Sequence, residues 1–403
     1  MTRFRAGLLL ACATLAPLAG CVRRVREPVA PEPFVFRALD LRQQTGQGQP
    51  AWDLTSPEAR YDLTRQLAQT RQPRGSIYRR GKRYLTISAQ RGTVIGDGQA
   101  IQLEGAVQIT LLGANPIRIT GDQARWLPRQ DLMVIDRRPV AIDRRSRISG
   151  RVARYRVAED LVELRGTPLL EQWPRQQVVR TAQEPATIRV RAASIDWKPD
   201  RGDLIAKGPV LGERFKVSTS DRSERPSKGA DLVLTSSGLR GNLREGFIDL
   251  LEPVRMRDSN VSRWLHARQT RWAINDEWLA SDQPFQGAIN ALQVRGNGLR
   301  INLADESVLV PSACSLEQPG EQLRADQCRW SWTSGRFEAQ GSVVLRRQAY
   351  RQITRASQLQ GQIGKDGTAI FTSPGARVNS QFNLPPKGAR HSPQRQAASP
   401  VTF

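Results

Sequence analysis

Residues 89–107 contain the pattern that decides the fold, AQRGTVIGDGQAIQLEGAV. A small residue begins the pattern, a large apolar residue follows five places later, and another apolar residue lies at twelve. The pattern is completed by a small or apolar residue fourteen places after the first, often Gly at sixteen, and an apolar residue at eighteen. Two further stretches, 192–210 and 325–343, repeat it with Trp at the plus-five position: AASIDWKPDRGDLIAKGPV and ADQCRWSWTSGRFEAQGSV.

Ten copies of this pattern, some closer than others, run through most of the chain. Their first residues are Ser56, Ala89, Gly121, Gly150, Ala192, Ser236, Ala267, Gly296, Ala325 and Ala356. Successive copies begin 29 to 44 residues apart. A nearly constant period of this size is typical of an array in which one supersecondary unit stacks on the next.

Each copy is built from strands. Apolar and polar residues alternate within a copy, as they do from Ile101 to Ile109. A period of two indicates half-buried strands, and turn residues such as Gly96-Asp97-Gly98 lie between the two strands of a copy. We therefore predict an all-β, elongated array of stacked antiparallel strands in about ten repeats. Residues 57–69 fit the same register and are predicted as strand.

Two of the separations are longer than the others, and they suggest how the array is divided. The additional residues, near 173–186 and 217–230, are polar and rich in turn residues, which predicts surface loops. We therefore divide the array into residues 34–172 and 173–382. One continuous stack and two lobes joined by a hinge are both compatible with this pattern.

The two ends of the chain differ from the array. Arg3 and Arg5 precede a short apolar stretch, and Leu18-Ala19-Gly20-Cys21 follows it. This order predicts a lipoprotein signal peptide over residues 1–20 and an acyl anchor on Cys21, the alternative being an ordinary signal peptide. Residues 21–33 are predicted to be an extended tether, and residues 383–403 a disordered basic tail.

Cysteine usage agrees with export from the cytoplasm. Besides Cys12 and Cys21 the chain has only Cys314 and Cys328. An even pair in an exported protein favours a disulfide, here between neighbouring strands of successive repeats. Two free thiols in the core are the alternative.

The formal net charge of +23 comes almost entirely from arginine. A charge of this size often indicates nucleic acid binding, but export makes nucleic acid an unexpected partner. Anionic membrane surfaces, acidic glycolipids or envelope polymers fit better. The densest stretch, residues 137–156, alternates arginines with apolar residues and is interpreted as a solvated outer face.

Residues for catalysis or metal binding are scarce. With two histidines in the whole chain, a histidine triad or a multi-histidine metal site is not expected. The best carboxylate cluster is Asp196, Asp200, Asp203 and Glu213, which surrounds a predicted turn and is interpreted as solvated. We therefore predict no enzyme activity, no metal and no cofactor.

The first repeats resemble the LptC family, periplasmic components of the lipopolysaccharide export machinery that share the OstA-like fold with the related LptA. The resemblance is carried by FVFRALDLRQQ at 34–44, AWDLTSPEARYD at 51–62, GSIY at 75–78 and ISAQRGTVIGDGQAIQLEGAVQI at 87–109. It is clear over about residues 34–143. Two features depart from the family: a lipoprotein signal stands in place of a transmembrane helix, and the chain is about twice as long.

The resemblance implies an open, V-shaped β-jellyroll, a trough whose apolar interior holds acyl chains. The residues expected to face this lipid groove are Val94, Ile101, Leu103, Val107, Trp126, Leu132, Val134, Val140, Tyr155, Trp197 and Leu204. The alternative is that these residues meet across a closed interior and form an ordinary core.

The resemblance also implies partners at both ends of the array, bound by strand addition. The first edge, with Phe34 and Phe36, would bind the inner-membrane lipopolysaccharide ABC transporter. The last edge, with Ile370 and Phe371, would bind an LptA-like bridge component or the outer-membrane translocon.

The function expected from these features is that of a lipid-anchored periplasmic component that passes lipopolysaccharide towards the outer membrane. The inner membrane is the favoured site of the anchor. Two alternatives are a structural β-solenoid scaffold that binds acidic envelope polymer and a polysaccharide-cleaving β-helix.

Overall fold

The computed structural model describes residues 34–173, 186–215, 217–218, 225–226, 229–258, 262–362 and 369–383. These residues form antiparallel strands and two short 3-10 helices, Pro128–Gln130 and Ala349–Arg351. The prediction of an all-β array of stacked antiparallel strands is confirmed, including strands within residues 57–69. Cys21, the tether, most of both insertions and nearly all of the basic tail lie outside the described residues.

The strands of the first repeats are β1 (Phe34–Phe36), β2 (Leu39–Gln44), β3 (Pro50–Ser56), β4 (Glu58–Asp62), β5 (Leu67–Arg71), β6 (Arg74–Arg79), β7 (Lys82–Ser88), β8 (Arg91–Ile95), β9 (Ala100–Leu111), β10 (Ile117–Leu127), β11 (Leu132–Ile135), β12 (Val140–Ile142), β13 (Ser146–Ser149), β14 (Val152–Arg156), β15 (Leu161–Arg165) and β16 (Leu169–Gln172). The middle strands are β17 (Ile188–Arg191), β18 (Ser194–Lys198), β19 (Asp203–Arg214), β20 (Val217–Ser218), β21 (Arg225–Pro226), β22 (Leu232–Asn242), β23 (Phe247–Leu251), β24 (Val254–Asp258), β25 (Arg263–Ala267) and β26 (Thr270–Ala273). The last are β27 (Trp278–Ile289), β28 (Leu292–Asn302), β29 (Ser307–Val310), β30 (Ser312–Gln318), β31 (Glu321–Ala325), β32 (Gln327–Ser331), β33 (Arg336–Arg347), β34 (Gln352–Gln362), β35 (Ala369–Thr372) and β36 (Asn379–Gln381).

All strands but β20 and β21 belong to one sheet, which is folded lengthwise into two half-sheets. Half-sheet A runs from β2 through β3, β6 and β7 to β36, and half-sheet B from β1 through β4, β5 and β8 to β35. Eight long strands cross between the halves and belong to both: β9, β10, β19, β22, β27, β28, β33 and β34. At about 4.8 Å per strand, the stack reaches roughly 100 Å.

The small residue that begins each repeat lies where the chain crosses from half-sheet A to half-sheet B. Ala89 lies between β7 and β8, for example, and Gly121 lies at the irregularity inside β10. The Gly sixteen places later lies at the return crossing, where Gly105 and Gly341 have φ of 75° and 73°. These crossings stack on one another to form the crease of the folded sheet. The small residues of the repeat are therefore needed where the chain turns at the crowded crease.

The large and apolar residues of the repeat form one inward-facing row on half-sheet B. Backbone pairing aligns the plus-five residue of one repeat with the plus-twelve residues on either side of it. From the first strand to the last, this row contains Phe34, Tyr61, Ala68, Val94, Ile101, Trp126, Met133, Tyr155, Val162, Trp197, Leu204, Gly241, Ile248, Trp272, Leu279, Ile301, Val308, Trp330, Phe337, Gly361 and Ala369. An apolar surface thus runs along the length of the array.

Three residues predicted to face the groove lie on the other face of the sheet. Leu132, Val134 and Val140 are half-buried, whereas their chain neighbours Met133 and Ile135 are in the core. The prediction was wrong for these three because neighbouring residues of a strand point to opposite faces, so a shift of one position reverses the assignment. Counted from Gly121, the repeat places its plus-twelve and plus-fourteen residues at Met133 and Ile135.

Cys314 and Cys328 form a disulfide in the structure, with their Cα atoms 5.9 Å apart. The two cysteines do not lie on hydrogen-bonded neighbours, because β30 belongs to half-sheet A and β32 to half-sheet B. Both side chains are buried. The bond therefore joins the two half-sheets close to the crease.

The two ends of the array expose apolar side chains on strands that have a partner on one side only. Phe34 and Phe36 on β1 are 55% and 45% exposed, and β1 pairs with β4 alone among the described strands. At the other end Ile370 on β35 is 62% exposed, while Phe371 packs against the core. Of the four residues predicted to bind partners, Phe371 is thus the least accessible.

Candidate functional site

The space between the two half-sheets is filled in the N-terminal half of the array. The predicted groove residues Val94, Ile101, Leu103, Val107, Trp126, Tyr155, Trp197 and Leu204 are each 3% exposed or less. Trp52 of half-sheet A meets Trp126 of half-sheet B edge to face, with ring centroids 5.2 Å apart. This part of the interior is a packed core in the present conformation.

A polar cluster with a buried centre closes the mouth of this half, opposite the crease. It consists of Arg79 and Tyr84 on half-sheet A and Tyr155, Asp160 and Asp200 on half-sheet B; we call it the latch. The Tyr84 hydroxyl lies 2.8 Å from both the Tyr155 hydroxyl and Asp160 Oδ1. Arg79 lies 3.3 Å from Asp200 Oδ2 and donates to the Ala158 carbonyl at 2.6 Å. These contacts hold the two edges of the folded sheet together.

Burial governs the protonation of the latch. Desolvation raises the pKa of the Asp160 carboxyl above its ordinary value, although the hydrogen bonds it accepts from the Asp200 N–H and Tyr84 oppose this shift. Desolvation also raises the pKa of both tyrosines, so each hydroxyl keeps its proton at neutral pH. The latch thus consists of neutral hydroxyl donors around a carboxylate whose charged form is destabilised by burial.

A second contact across the mouth lies further along the array. Arg145, in the turn between β12 and β13 of half-sheet A, donates to Asn275 Oδ1 at 2.8 Å. Asn275 lies in the turn between β26 and β27 of half-sheet B. Together with the latch, this contact leaves the mouth bridged up to the middle repeats.

Beyond that contact an apolar cavity of about 140 Å³ opens between the half-sheets. Six half-buried apolar residues of its lining are Leu232, Leu265, Ile289, Ile301, Leu303 and Trp332. The first three belong to half-sheet A, and the other three lie on half-sheet B or at its rim. We call this cavity the apolar opening. Apolar side chains that remain accessible inside a folded sheet are suited to binding hydrocarbon.

Charged groups lie at the edge of the apolar opening. Arg263 forms an ion pair with Asp258 at 3.1 Å, and its guanidinium lies 5.5 Å from the centroid of the Trp332 ring on the opposite side. Arg347, on the half-sheet A part of β33, also lies near the mouth and pairs with Glu321 at 2.9 Å. The apolar interior therefore has arginines at its edge, each paired with a carboxylate.

The carboxylates considered for catalysis are dispersed. Asp196 pairs with Arg165 and Glu213 with Arg191, each at 2.7 Å, while Asp203 accepts a hydrogen bond from Asn242. Asp200 belongs to the latch. Among the described residues, no group of three or more His, Cys, Asp or Glu side chains is placed to hold a metal ion. Within those same ranges, no helix has the length and apolar character needed to span a membrane.

Sequence reasoning did not find the latch or the apolar opening. Asp200 was assigned to a solvated carboxylate cluster and Tyr155 to the lipid groove, and neither assignment connects them with Tyr84. Tyr84 and Tyr155 are 71 positions apart and lie on different half-sheets, so no local spacing connects them. The signal that could have been used is Tyr155, which brings a hydroxyl to a plus-five position where four other repeats have Trp.

Comparison with known proteins supports the resemblance over the first repeats. Residues 23–167 match the family model described as lipopolysaccharide-assembly, LptC-related. This confirms the resemblance for the region whose interior is closed; the apolar opening lies beyond it. No curated protein sequence is significantly similar to the chain.

One solved structure with some similarity is that of LptH from Pseudomonas aeruginosa, described as the LptA-homologous periplasmic component of the conserved lipopolysaccharide transport device. It shares 13% identity, and the match covers 29% of this chain and 83% of LptH with a TM-score of 0.25.

Proposed function

We propose that this protein is a periplasmic component of lipopolysaccharide export that carries the acyl chains of the lipid between its two half-sheets. The observation that carries the proposal is the inward apolar row, which continues from β1 to β35 and becomes accessible at the apolar opening. The family match over residues 23–167 supports it. The protein itself performs no chemistry in this role.

The size of the apolar opening determines how a lipid could enter. Its volume of about 140 Å³ is close to that of apolar cavities that accept a benzene-sized ligand, about 150 Å³. It therefore has room for only a short piece of an acyl chain. Passage of a whole lipid requires the half-sheets to separate, and the latch opposes that separation in the N-terminal half.

The ends of the chain complete the proposal. Acylation of Cys21 would anchor the protein to the periplasmic face of the inner membrane, with residues 21–33 as a tether and residues 383–403 as a basic tail. The exposed β1 edge would receive the ABC transporter, and the β35 edge an LptA-like subunit or the outer-membrane translocon. Residues 34–172 would form the LptC-like unit and residues 173–382 its extension along the same stack.

In-cell photo-crosslinking tests the proposal with matched probes. A photoreactive phenylalanine analogue is placed at Leu265, which lines the apolar opening, or at the neighbouring His266, which is exposed. Val107 in the closed half is compared with its outward neighbour Gln108. We expect lipopolysaccharide adducts at Leu265 and, during transport, at Val107, with none at the two controls.

The absence of adducts at both inward positions, in a protein that is correctly exported, would refute the transport role. It would favour the closed scaffold instead, for which the packed N-terminal interior is the specific observation. Equal labelling of inward and outward positions would mean that the lipid contacts the surface and not the interior.

A further inference from the structure

A second depression, of about 870 Å³, lies on the outer face of half-sheet B, behind the apolar opening. Its lining contains Arg271, Arg300 and Arg329, and the polar residues Gln269, Gln283 and Asn302. The indole of Trp278 also lines it, and on β27 this residue points away from the buried Leu279. This composition is polar and cationic, in contrast to the apolar opening on the other face.

The three arginines belong to one cross-strand row. Arg271 pairs in register with Ala280, Ala280 with Arg300, Arg300 with Leu309, and Leu309 with Arg329. Successive arginines are therefore two strands apart, roughly 10 Å. The residues between them are small or apolar, so nothing with opposite charge separates the guanidinium groups along the row.

Two of the three guanidiniums have no partner among the residues that the structure describes. Arg271 is held by Asp249 through two hydrogen bonds of 2.7 and 2.9 Å. Arg300 and Arg329 are exposed, and neither forms an ion pair or hydrogen bond within those residues. The acidic residues of the lining are Asp249 and Asp282, and Glu338 is the register partner of Arg329 on β33, just outside the lining. Two unpaired arginines in a concave surface are suited to phosphate groups, which they bind in a bidentate manner.

The depression and the apolar opening share the same strands. Ile301 and Val308 contribute to both linings, and at the rim Asn302 faces the depression while the next residue, Leu303, faces the opening. A molecule draped over this rim would have one end between the half-sheets and the other on the outer face. The chemistry of such a molecule is that of a glycolipid with an anionic head.

We propose that the outer depression binds the phosphorylated saccharide of the lipid whose acyl chains occupy the apolar opening. Arg300 and Arg329 would bind phosphate groups, and Trp278 would contact a sugar ring. This inference rests on the proposed function, but the saccharide site can be tested without any lipid.

The test is isothermal titration calorimetry of the full chain with fully deacylated lipopolysaccharide that retains its phosphates. We expect the double variant Arg300→Ala/Arg329→Ala to bind at least about tenfold more weakly than the unaltered protein. The matched control is Arg125→Ala/Arg154→Ala, which removes the same charge at the same two-strand spacing on the same outer row of half-sheet B. Both of its arginines are exposed, and we expect its affinity to stay within about twofold.

Three results would overturn the saccharide site. These are no binding by the unaltered protein, an equal loss in both double variants, and equal binding of the dephosphorylated saccharide. Tighter binding of an acidic peptide than of the saccharide would assign the depression to a protein partner. If the saccharide does not bind, lipopolysaccharide adducts at Leu265 would still support the transport role. If the saccharide binds but no adducts form at Leu265, the transport role alone would be refuted.

Discussion

Replacing Tyr84 with Phe should loosen the closed half of the array. The hydroxyl of Tyr84 contacts Tyr155 and Asp160 at 2.8 Å each, in a region where its side chain is 8% exposed. A neutral hydrogen bond contributes about 1 kcal/mol and one to a charged group about 1.5–3 kcal/mol. Because Tyr155 still reaches Asp160 at 3.3 Å, we expect a net loss of about 2–4 kcal/mol in the local opening free energy.

Native-state hydrogen exchange measures this loss directly. A decrease of that size corresponds to exchange that is roughly 30- to 900-fold faster in strands β14 and β15, provided exchange occurs through local opening. The control is Tyr61→Phe, because the Tyr61 hydroxyl has no hydrogen-bond partner within the described part of the chain. Tyr84→Phe exchange rates within a factor of about three of those in the control would refute the latch as a closing device.

The Tyr84→Phe variant should also change the pKa of Asp160 and thus the pH dependence of the latch. The pKa of Asp160 is already raised by burial, and the Tyr84 hydrogen bond opposes that shift, so Tyr84→Phe should raise the pKa further. A raised folded-state pKa means that the contribution of this group to stability is fully present below the unfolded pKa. It is lost as the pH rises through the folded pKa. The latch should therefore be tighter under mildly acidic conditions than at neutral pH. An NMR titration of the Asp160 carboxyl that showed an unchanged or lowered pKa in the variant would contradict this account.

Three further predictions concern the core, the disulfide and the crease. Met133→Ala should lower the free energy of unfolding in urea by about 2–5 kcal/mol and Val134→Ala by less than about 1 kcal/mol, because only Met133 faces the interior. Similar losses in the two variants would mean that Val134 faces the interior, as the sequence pattern had predicted. Replacing both Cys314 and Cys328 with Ser should lower the opening free energy by about 3 kcal/mol, as expected for a disulfide with a sequence separation of 14. The loss should be measured as faster hydrogen exchange in β30–β33, and an unchanged exchange rate would show that packing alone fixes the crease there. Gly208→Ala should lower the melting temperature, because the added Cβ would overlap the Ser237 carbonyl oxygen, and a variant as stable as the parent would mean that the crossing can shift.

Much of the fold could be predicted from local sequence alone. Alternation predicted the strands, whereas the role of the small residue at the start of each repeat, Gly121 for example, as the crossing between half-sheets was not predicted. Some plus-five and plus-twelve residues, such as Trp126 and Leu204, were expected to face inward because burial of one face imposes a period of two, but Met133 at plus-twelve was missed. The three errors, at Leu132, Val134 and Val140, arose where apolar residues occupy both faces of a short strand, so that alternation no longer distinguishes inside from outside.

The sequence by itself determined an all-β array with an apolar face along its length, because each strand must bury every second residue. Only the tertiary structure decided where that interior is closed and where it is accessible. The latch joins Tyr84 to Asp160 over 76 positions, and the apolar opening unites Leu265 with Trp332 from different half-sheets. The repeat sets the distance between strands of one half-sheet, but it carries no information about how far the second half-sheet folds over the first. That angle depends on the few side chains that meet across the mouth.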